Sequence, residues 1–211
     1  MLYTNELTTA RRAALDAGGV IAEYYTQTLK PTYKANHQPV TRADHASNDI
    51  IKSILRKTFP DDGWLSEEDV DDMTRFEKKR VWIVDPLDGT RDFIHKTPEF
   101  AVAIALVENH KPVLGVVYNP ITKEMFSALA GQGAFCNDQK IRVMEKSDAE
   151  KKKKTKLLIS LTENKRGEWE HFKNLFDVVP TGGCAYKMAK VARGDADGAF
   201  TLSPKSEWDV C

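Results

Sequence analysis

The chain has 211 residues, 41% of them apolar and 29% charged, a composition ordinary for a soluble globular protein and unlike a disordered or fibrous one. Thirty-one basic residues balance thirty-one acidic ones, so no global field directs it to a nucleic acid polymer or an anionic membrane surface. The longest apolar run, 101–107, is too short to span a bilayer, and the first residues contain no apolar signal core, so a cytoplasmic protein is expected.

Leu7, Ala10, Ala14, Ala17, Ile21 and Tyr24 recur at helical spacing and predict an amphipathic helix within 5–28. Thr41 or Asp44 is placed to cap a second helix that turns Ile50, Ile51, Ile54 and Leu55 inward. "DDGWLSEED" then predicts a short strand running into an acidic turn. Trp82, Ile83 and Val84 read as a buried strand, and "EFAVAIALVE", "KPVLGVVYNP", "KEMFSALA" and "QKIRVME" follow as an antiparallel meander punctuated by turn residues. "KSDAEKKKKTK" is the sharpest break in composition. It is read as a solvated junction between an α+β part, 1–148, and an α/β part, 155–211. Beyond it the pattern predicts strand 157–161, helix 167–175, strand 177–180, helix 184–193 and strand 196–201, an α/β alternation. Cys136, Cys184 and Cys211 form no CxxC pair and no disulfide framework, in keeping with a reducing compartment.

The chemistry centres on "WIVDPLDGTRDF", 82–93. A strand ends in Asp85. Pro86 cannot donate to a sheet ladder, and Asp88, Gly89 and Thr90 form a turn in which Gly89 lets backbone approach a ligand. An aspartyl-nucleophile pattern, DxDGT, fits poorly, because the two aspartates here are three positions apart with a proline between them. Carboxylates gathered as ligands for a hard divalent cation fit better, and Mg²⁺ wants such oxygens. Asp85, Asp88 and the Leu87 carbonyl are candidate donors, and a helix starting near Gly89 would turn free N–H groups toward a phosphate. Glu67 in "SEED" and Asp209 in "SEWD" supply two further carboxylates. The five histidines, at 37, 45, 95, 110 and 171, show no metal-binding spacing, and an all-oxygen donor set favours Mg²⁺ over Zn²⁺.

"PVTRADHASND", "LSEED", "WIVDPLDGTRDF", "GVVYNPITKEMFSA", "GQGAFCN" and "SEWDV", in this order, resemble the Mg²⁺-dependent, lithium-sensitive phosphomonoesterases of the inositol monophosphatase superfamily over nearly the whole chain. The resemblance implies a layered αβαβα sandwich of the sugar-phosphatase type, α+β and α/β in its two halves, with the site between them. It implies two or three Mg²⁺ ions, the first on Glu67, Asp85 and the Leu87 carbonyl, the second on Asp85, Asp88 and Asp209. Thr90 and Glu67 would orient and deprotonate the attacking water, with Asp44 bonded to Thr90 from behind. Asp88, Gly89, Thr90, Gly183, Cys184 and Lys187 would meet the substrate, a small phosphorylated metabolite. "DGTRDFIHKTPEF" and "GGCAYKMAKVARG" are closer to the 3′(2′),5′-bisphosphate nucleotidase branch than to the animal inositol monophosphatases, the alternative activity. One departure is at Cys211, where family members continue into a further section. From it we expect a frayed Asp209 and exposed apolar surface that favours self-association, for instance as a homodimer. It also raises an alternative of another class, an inactive remnant serving as a binding or assembly module.

Overall fold

A computed structural model describes residues 2–34, 38–143 and 153–211. The chain opens with α1 (Thr4–Tyr25), ending before the expected limit at 28, and its inner face is a stripe of Ala10, Ala13, Ala14, Ala17 and Ile21, all fully buried. Small side chains on that face let the helix lie close on its neighbours. A two-stranded hairpin, β1 (Thr32–Tyr33) and β2 (Pro39–Val40), leads to α2 (Arg42–Thr58). Both expected capping residues act at the start of α2. The Thr41 hydroxyl accepts from the Ala43 N–H at 3.1 Å, while Asp44 Oδ2 accepts from the Thr41 N–H at 2.7 Å, forming a reciprocal capping box.

The large sheet has seven strands: β3 (Gly63–Ser66), β4 (Arg80–Asp88), β5 (Ala101–Glu108), β6 (Lys111–Asn119), β7 (Glu124–Leu129), β8 (Gly133–Cys136) and β9 (Gln139–Ile141). Each pairs with the next in sequence order. Only β3 and β4 run parallel, and the rest is the antiparallel meander that the apolar runs predict. The short α3 (Thr90–Ile94) sits between β4 and β5. α1 and α2 cover one face of the sheet, and Trp82, Val84, Phe100, Val102 and Ile104 join them in the main core.

A second, parallel sheet of three strands follows, in the order β11 (Asp177–Thr181), β10 (Lys156–Ser160), β12 (Gly198–Phe200). α5 (Cys184–Arg193) packs between the two sheets, with Tyr186 buried against Phe126, Ala101 and Cys136 of the large one. Helices, seven-stranded sheet, helix and three-stranded sheet therefore stack as layers of a mixed α+β sandwich. The lysine-rich junction and the boundaries drawn at 148 and 155 fall largely on 144–152, outside the described residues.

One expected element is corrected. No helix spans 167–175. Instead α4 (Leu161–Lys165) starts directly on β10, capped by Ser160, and Gly167, in the left-handed region at φ 77°, closes it. A single 3₁₀ turn at Glu170–Phe172 follows. Trp169 is buried there, donating its Nε1–H to the Glu163 carboxylate at 3.1 Å and packing on Phe172 and Phe200.

Candidate active site

The site begins with a fault in β4. Along a regular strand, side chains three positions apart face opposite sides of the sheet. Asp85 pairs with Ala103 and Asp88 with Ala101, so two residues, Pro86 and Leu87, stand opposite one on β5. This bulge, placed where Pro86 has no N–H to give, returns Asp88 to the side of Asp85. The terminal helical turn α6 (Glu207–Val210), packed against β4 and α5, brings the third group, and Asp85, Asp88 and Asp209 offer carboxylate oxygens within 4.8 Å of one another.

Each carboxylate is held by backbone. Asp85 Oδ1 accepts from the Leu87 N–H at 3.0 Å. Asp88 accepts from Cys184 N–H at 2.6 Å and Tyr186 N–H at 3.1 Å, at the start of α5. Asp209 Oδ2 accepts from Ser206 N–H at 2.7 Å as half of a capping box. The expected frayed Asp209 is thus seated in a capped helical turn. Burial, followed by the negative charges of Glu67, Asp88 and Asp209, pushes Asp85 well above the usual carboxylate range. Burial pushes Asp88 up to about 6, although the two N–H groups of α5 oppose the shift. Among the described residues no Lys or Arg pairs with these three carboxylates. An oxygen-only, strongly negative and largely buried donor set of this kind fits a hard divalent cation.

Glu67, expected beside Asp85, lines the same cleft at the end of β3 but is not one of the three clustered carboxylates. Its carboxylate meets Lys34 Nζ at 2.9 Å, and Lys34 also meets Glu68 at 2.7 Å, so the segment after β1 is tied to this edge of the cleft. The Leu87 carbonyl lies 3.2 Å from the Thr90 hydroxyl. That hydroxyl donates to Asp44 Oδ1 at 2.8 Å, while Asp44 Oδ2 takes both the N–H and the hydroxyl of Thr41. Asp44 is 2% exposed, and burial raises its pKa against the pull of these donors.

Two glycine turns meet at the floor. Gly89 has φ 93°, and a Cβ there would stand 3.3 Å from Gly183. Gly183 has φ 59°, and a Cβ there would stand 2.7 Å from Asp88 Oδ2, closer than real Cβ atoms come. Gly183 and Cys184, expected to meet the substrate, line the cleft, and their N–H groups donate to Asp92 at 3.3 Å and to Asp88 at 2.6 Å. The start of α5 is thus satisfied by carboxylates of β4 and α3.

Lys187 lines the cleft as expected, 4% exposed, with its pKa lowered by burial and no hydrogen bond or ion pair among the described residues. The sequence reading missed Arg166, after α4, and Lys205, in the loop before α6, which line the same cleft. They enter because the carboxyl ends of β10 and β11 open onto it, where parallel sheets place their ligands. Asp92, also missed, is buried enough to have a raised pKa; its place two residues after Thr90 was the available signal. His45, His95, His110 and His171 are outside the carboxylate cluster, and His37 is outside the described residues.

Residues 3–211 match the sequence model of the inositol monophosphatase family. The chain belongs to this family. It is accordingly a phosphatase that hydrolyses phosphomonoesters. It is 35% identical to inositol monophosphatase 3 of Solanum lycopersicum, over 97% of this chain and 79% of that one. It is 34% identical to the 3′(2′),5′-bisphosphate nucleotidase CysQ of Escherichia coli K12, over 93% of this chain and 80% of that one. The crystal structure of the extragenic suppressor protein SuhB from Bartonella henselae superposes with a TM-score of 0.85 and 31% identity, over 98% of this chain and 81% of that one. No helix of the described residues is long and apolar enough to cross a membrane.

Proposed function

We propose that this phosphatase is a Mg²⁺-dependent 3′(2′),5′-bisphosphate nucleotidase. One observation carries the choice of substrate. Lys187 is buried in the cleft and, although it feels the charge of Asp88 and Glu163, makes no close ion pair among the described residues, and Arg166 and Lys205 line the same space. A buried, unpaired ammonium is costly unless a ligand brings the counter-charge. A substrate with a second phosphate brings it, whereas an inositol monophosphate offers only hydroxyls beyond its single phosphate. The carboxylate of Asp92, a ready acceptor for such hydroxyls, favours inositol-1-monophosphate as the second reading.

Magnesium would be held by Asp85, Asp88 and Asp209, with Glu67 and the Leu87 carbonyl at the edge as further oxygen donors. Bound there, Mg²⁺ supplies Lewis acidity that polarises the phosphate ester and acidifies water. The rest falls to the chain's own side chains. Because the Thr90 proton is given to Asp44, Thr90 Oγ1 faces the cleft as an acceptor, able to hold one proton of a water and so aim its lone pair. Glu67 is the proton acceptor, its pKa raised by burial against the pull of Lys34. Asp44, fixed by Thr41 on the capped end of α2, keeps the Thr90 hydroxyl in one orientation. Three cysteines that are free, with no disulfide, suit a reducing, cytoplasmic setting.

The test compares kcat/KM for adenosine 3′,5′-bisphosphate and inositol 1-phosphate at one Mg²⁺ concentration, in the native protein and in Lys187→Met. Loss of a charged hydrogen bond predicts a decrease of about 10- to 100-fold for the bisphosphate in the variant, and little change for inositol 1-phosphate. Equal losses on both substrates, or a native preference for inositol 1-phosphate, would refute the nucleotidase reading.

A further inference from the structure

We propose that Arg75, acting through Glu207, is a positioning residue for Asp209; the inference rests on the reading of Asp209 as a cation ligand. α6 is four residues long, too short to hold its shape or its rotation by internal hydrogen bonds. Glu207 and Asp209 are two positions apart on it, which at 3.6 residues per turn sends their side chains to opposite sides of the helix axis. Asp209 turns to Asp85 and Asp88. Glu207 turns to Arg75, whose guanidinium grips it with two hydrogen bonds, 2.8 Å to Oε2 and 3.3 Å to Oε1. Holding one side of the turn in a two-pronged clamp fixes its rotation, and with it the aim of the carboxylate on the other side.

The clamp is itself anchored. Arg75 Nε donates to Asp71 at 2.9 Å, and the guanidinium lies 4.3 Å from the Phe76 ring centre. Arg75 belongs to a 3₁₀ turn, Thr74–Glu77, that is started by Asp72 accepting from the N–H and the hydroxyl of Thr74. That turn lies in the connection that runs from Glu67, just after β3, back to the start of β4 at Arg80. The connection that begins at Glu67 therefore also orients the Asp209 carboxylate.

The experiment is calorimetric Mg²⁺ titration of the 211-residue chain, with urea stability measured in parallel, for Arg75→Ala, Glu207→Gln, the exchanged pair Arg75→Glu with Glu207→Arg, and Asp209→Asn. Arg75→Ala and Glu207→Gln should each weaken Mg²⁺ binding about two- to five-fold, the range of a partly exposed ion pair, and the exchanged pair should recover most of it. Should Arg75→Ala fail to fold, Glu207→Gln, at a largely exposed carboxylate, carries the same test. Unchanged Mg²⁺ affinity in the single variants, with stability alone reduced, would reduce the clamp to a structural contact. Failure of the exchanged pair to recover affinity would also overturn the proposal. If Asp209→Asn itself leaves Mg²⁺ binding intact, the ligand reading fails first and takes the inference with it.

Discussion

Asp88 caps α5: its two carboxylate oxygens take the N–H groups of Cys184, at 2.6 Å, and Tyr186, at 3.1 Å. The same side chain lies in the carboxylate cluster, so the helix packed between the two sheets begins on a group of the candidate cation site. A helix N-terminus favours negative charge, and here the protein supplies that charge itself.

Gly183→Ala tests how tightly this junction is built. The new Cβ would stand 2.7 Å from Asp88 Oδ2 on a residue at φ 59°. A strained conformation of this kind costs about 1–3 kcal/mol, and for a chain of this size each kcal/mol lowers Tm by roughly 2–4 °C. Calorimetry should show the lower Tm together with weaker Mg²⁺ binding, because Asp88 must move. A variant with native Tm and native Mg²⁺ affinity would contradict the contact.

Asp85→Asn should have opposite effects with and without the metal. The folded-state pKa of Asp85 lies above its ordinary value, so metal-free stability falls as pH rises through the carboxylate range and the ionised form is disfavoured at neutrality. Removing that charge should raise Tm in EDTA. In the native protein, Mg²⁺ at about 100 times its dissociation constant adds ~2.7 kcal/mol, and the variant should lose most of this gain. Scanning fluorimetry with EDTA and with Mg²⁺ reads both signs, and a variant that keeps the Mg²⁺ shift would remove Asp85 from the ligand set.

Thr90→Ala leaves Asp44 Oδ1 without the Thr90 donor and the cleft without the Thr90 oxygen. The start of α3 is Gly89 with no side-chain cap, so the loss is not one of helix capping. Turnover should fall about 10²- to 10⁴-fold with Mg²⁺ affinity nearly native, and Thr90→Ser should recover most of the rate. Normal turnover in the alanine variant would show that Thr90 is not catalytic.

Glu163 gives the acid limit of stability. It is 2% exposed; burial opposes its ionisation, but donors from Thr201, Trp169, Leu202 and Ser203 outweigh burial and hold its pKa down to about 2, from 4.5. With the folded value below the unfolded one, its contribution is complete above about pH 4.5 and is lost as pH falls toward 2. Glu163→Gln should cost about 2 kcal/mol at pH 7, and the gap from the native protein should close between pH 4.5 and 2 in urea unfolding. A gap that does not vary with pH would mean that the ionised form is not what these donors hold.

The sequence by itself determined the local elements and the chemistry. Ala10, Ala14, Ala17 and Ile21 mark the buried face of α1, Thr41 and Asp44 mark a helix start, and the apolar runs between Asn-His, Asn-Pro and Asn-Asp turns mark the meander. These rest on periodicities of 3.6 and 2 and on turn residues, which act over a few positions. The family was legible for a related reason, since its motifs are short stretches in a fixed order. The helix expected over 167–175 does not form because Trp169 there is turned inward to a buried hydrogen bond with Glu163, a residue across a turn. Tertiary structure alone decided that Asp85 and Asp88 face one way, because spacing by three contradicts strand alternation until the bulge opposite β5 is known. It alone decided that Glu67 pairs with Lys34 and that Asp88 is the cap of α5, as well as that Arg166 and Lys205 reach the cleft. Each of these depends on where the chain folds back on itself, over separations of 33 residues for Lys34 with Glu67 and 96 for Asp88 with Cys184, and local spacing carries no record of such distances.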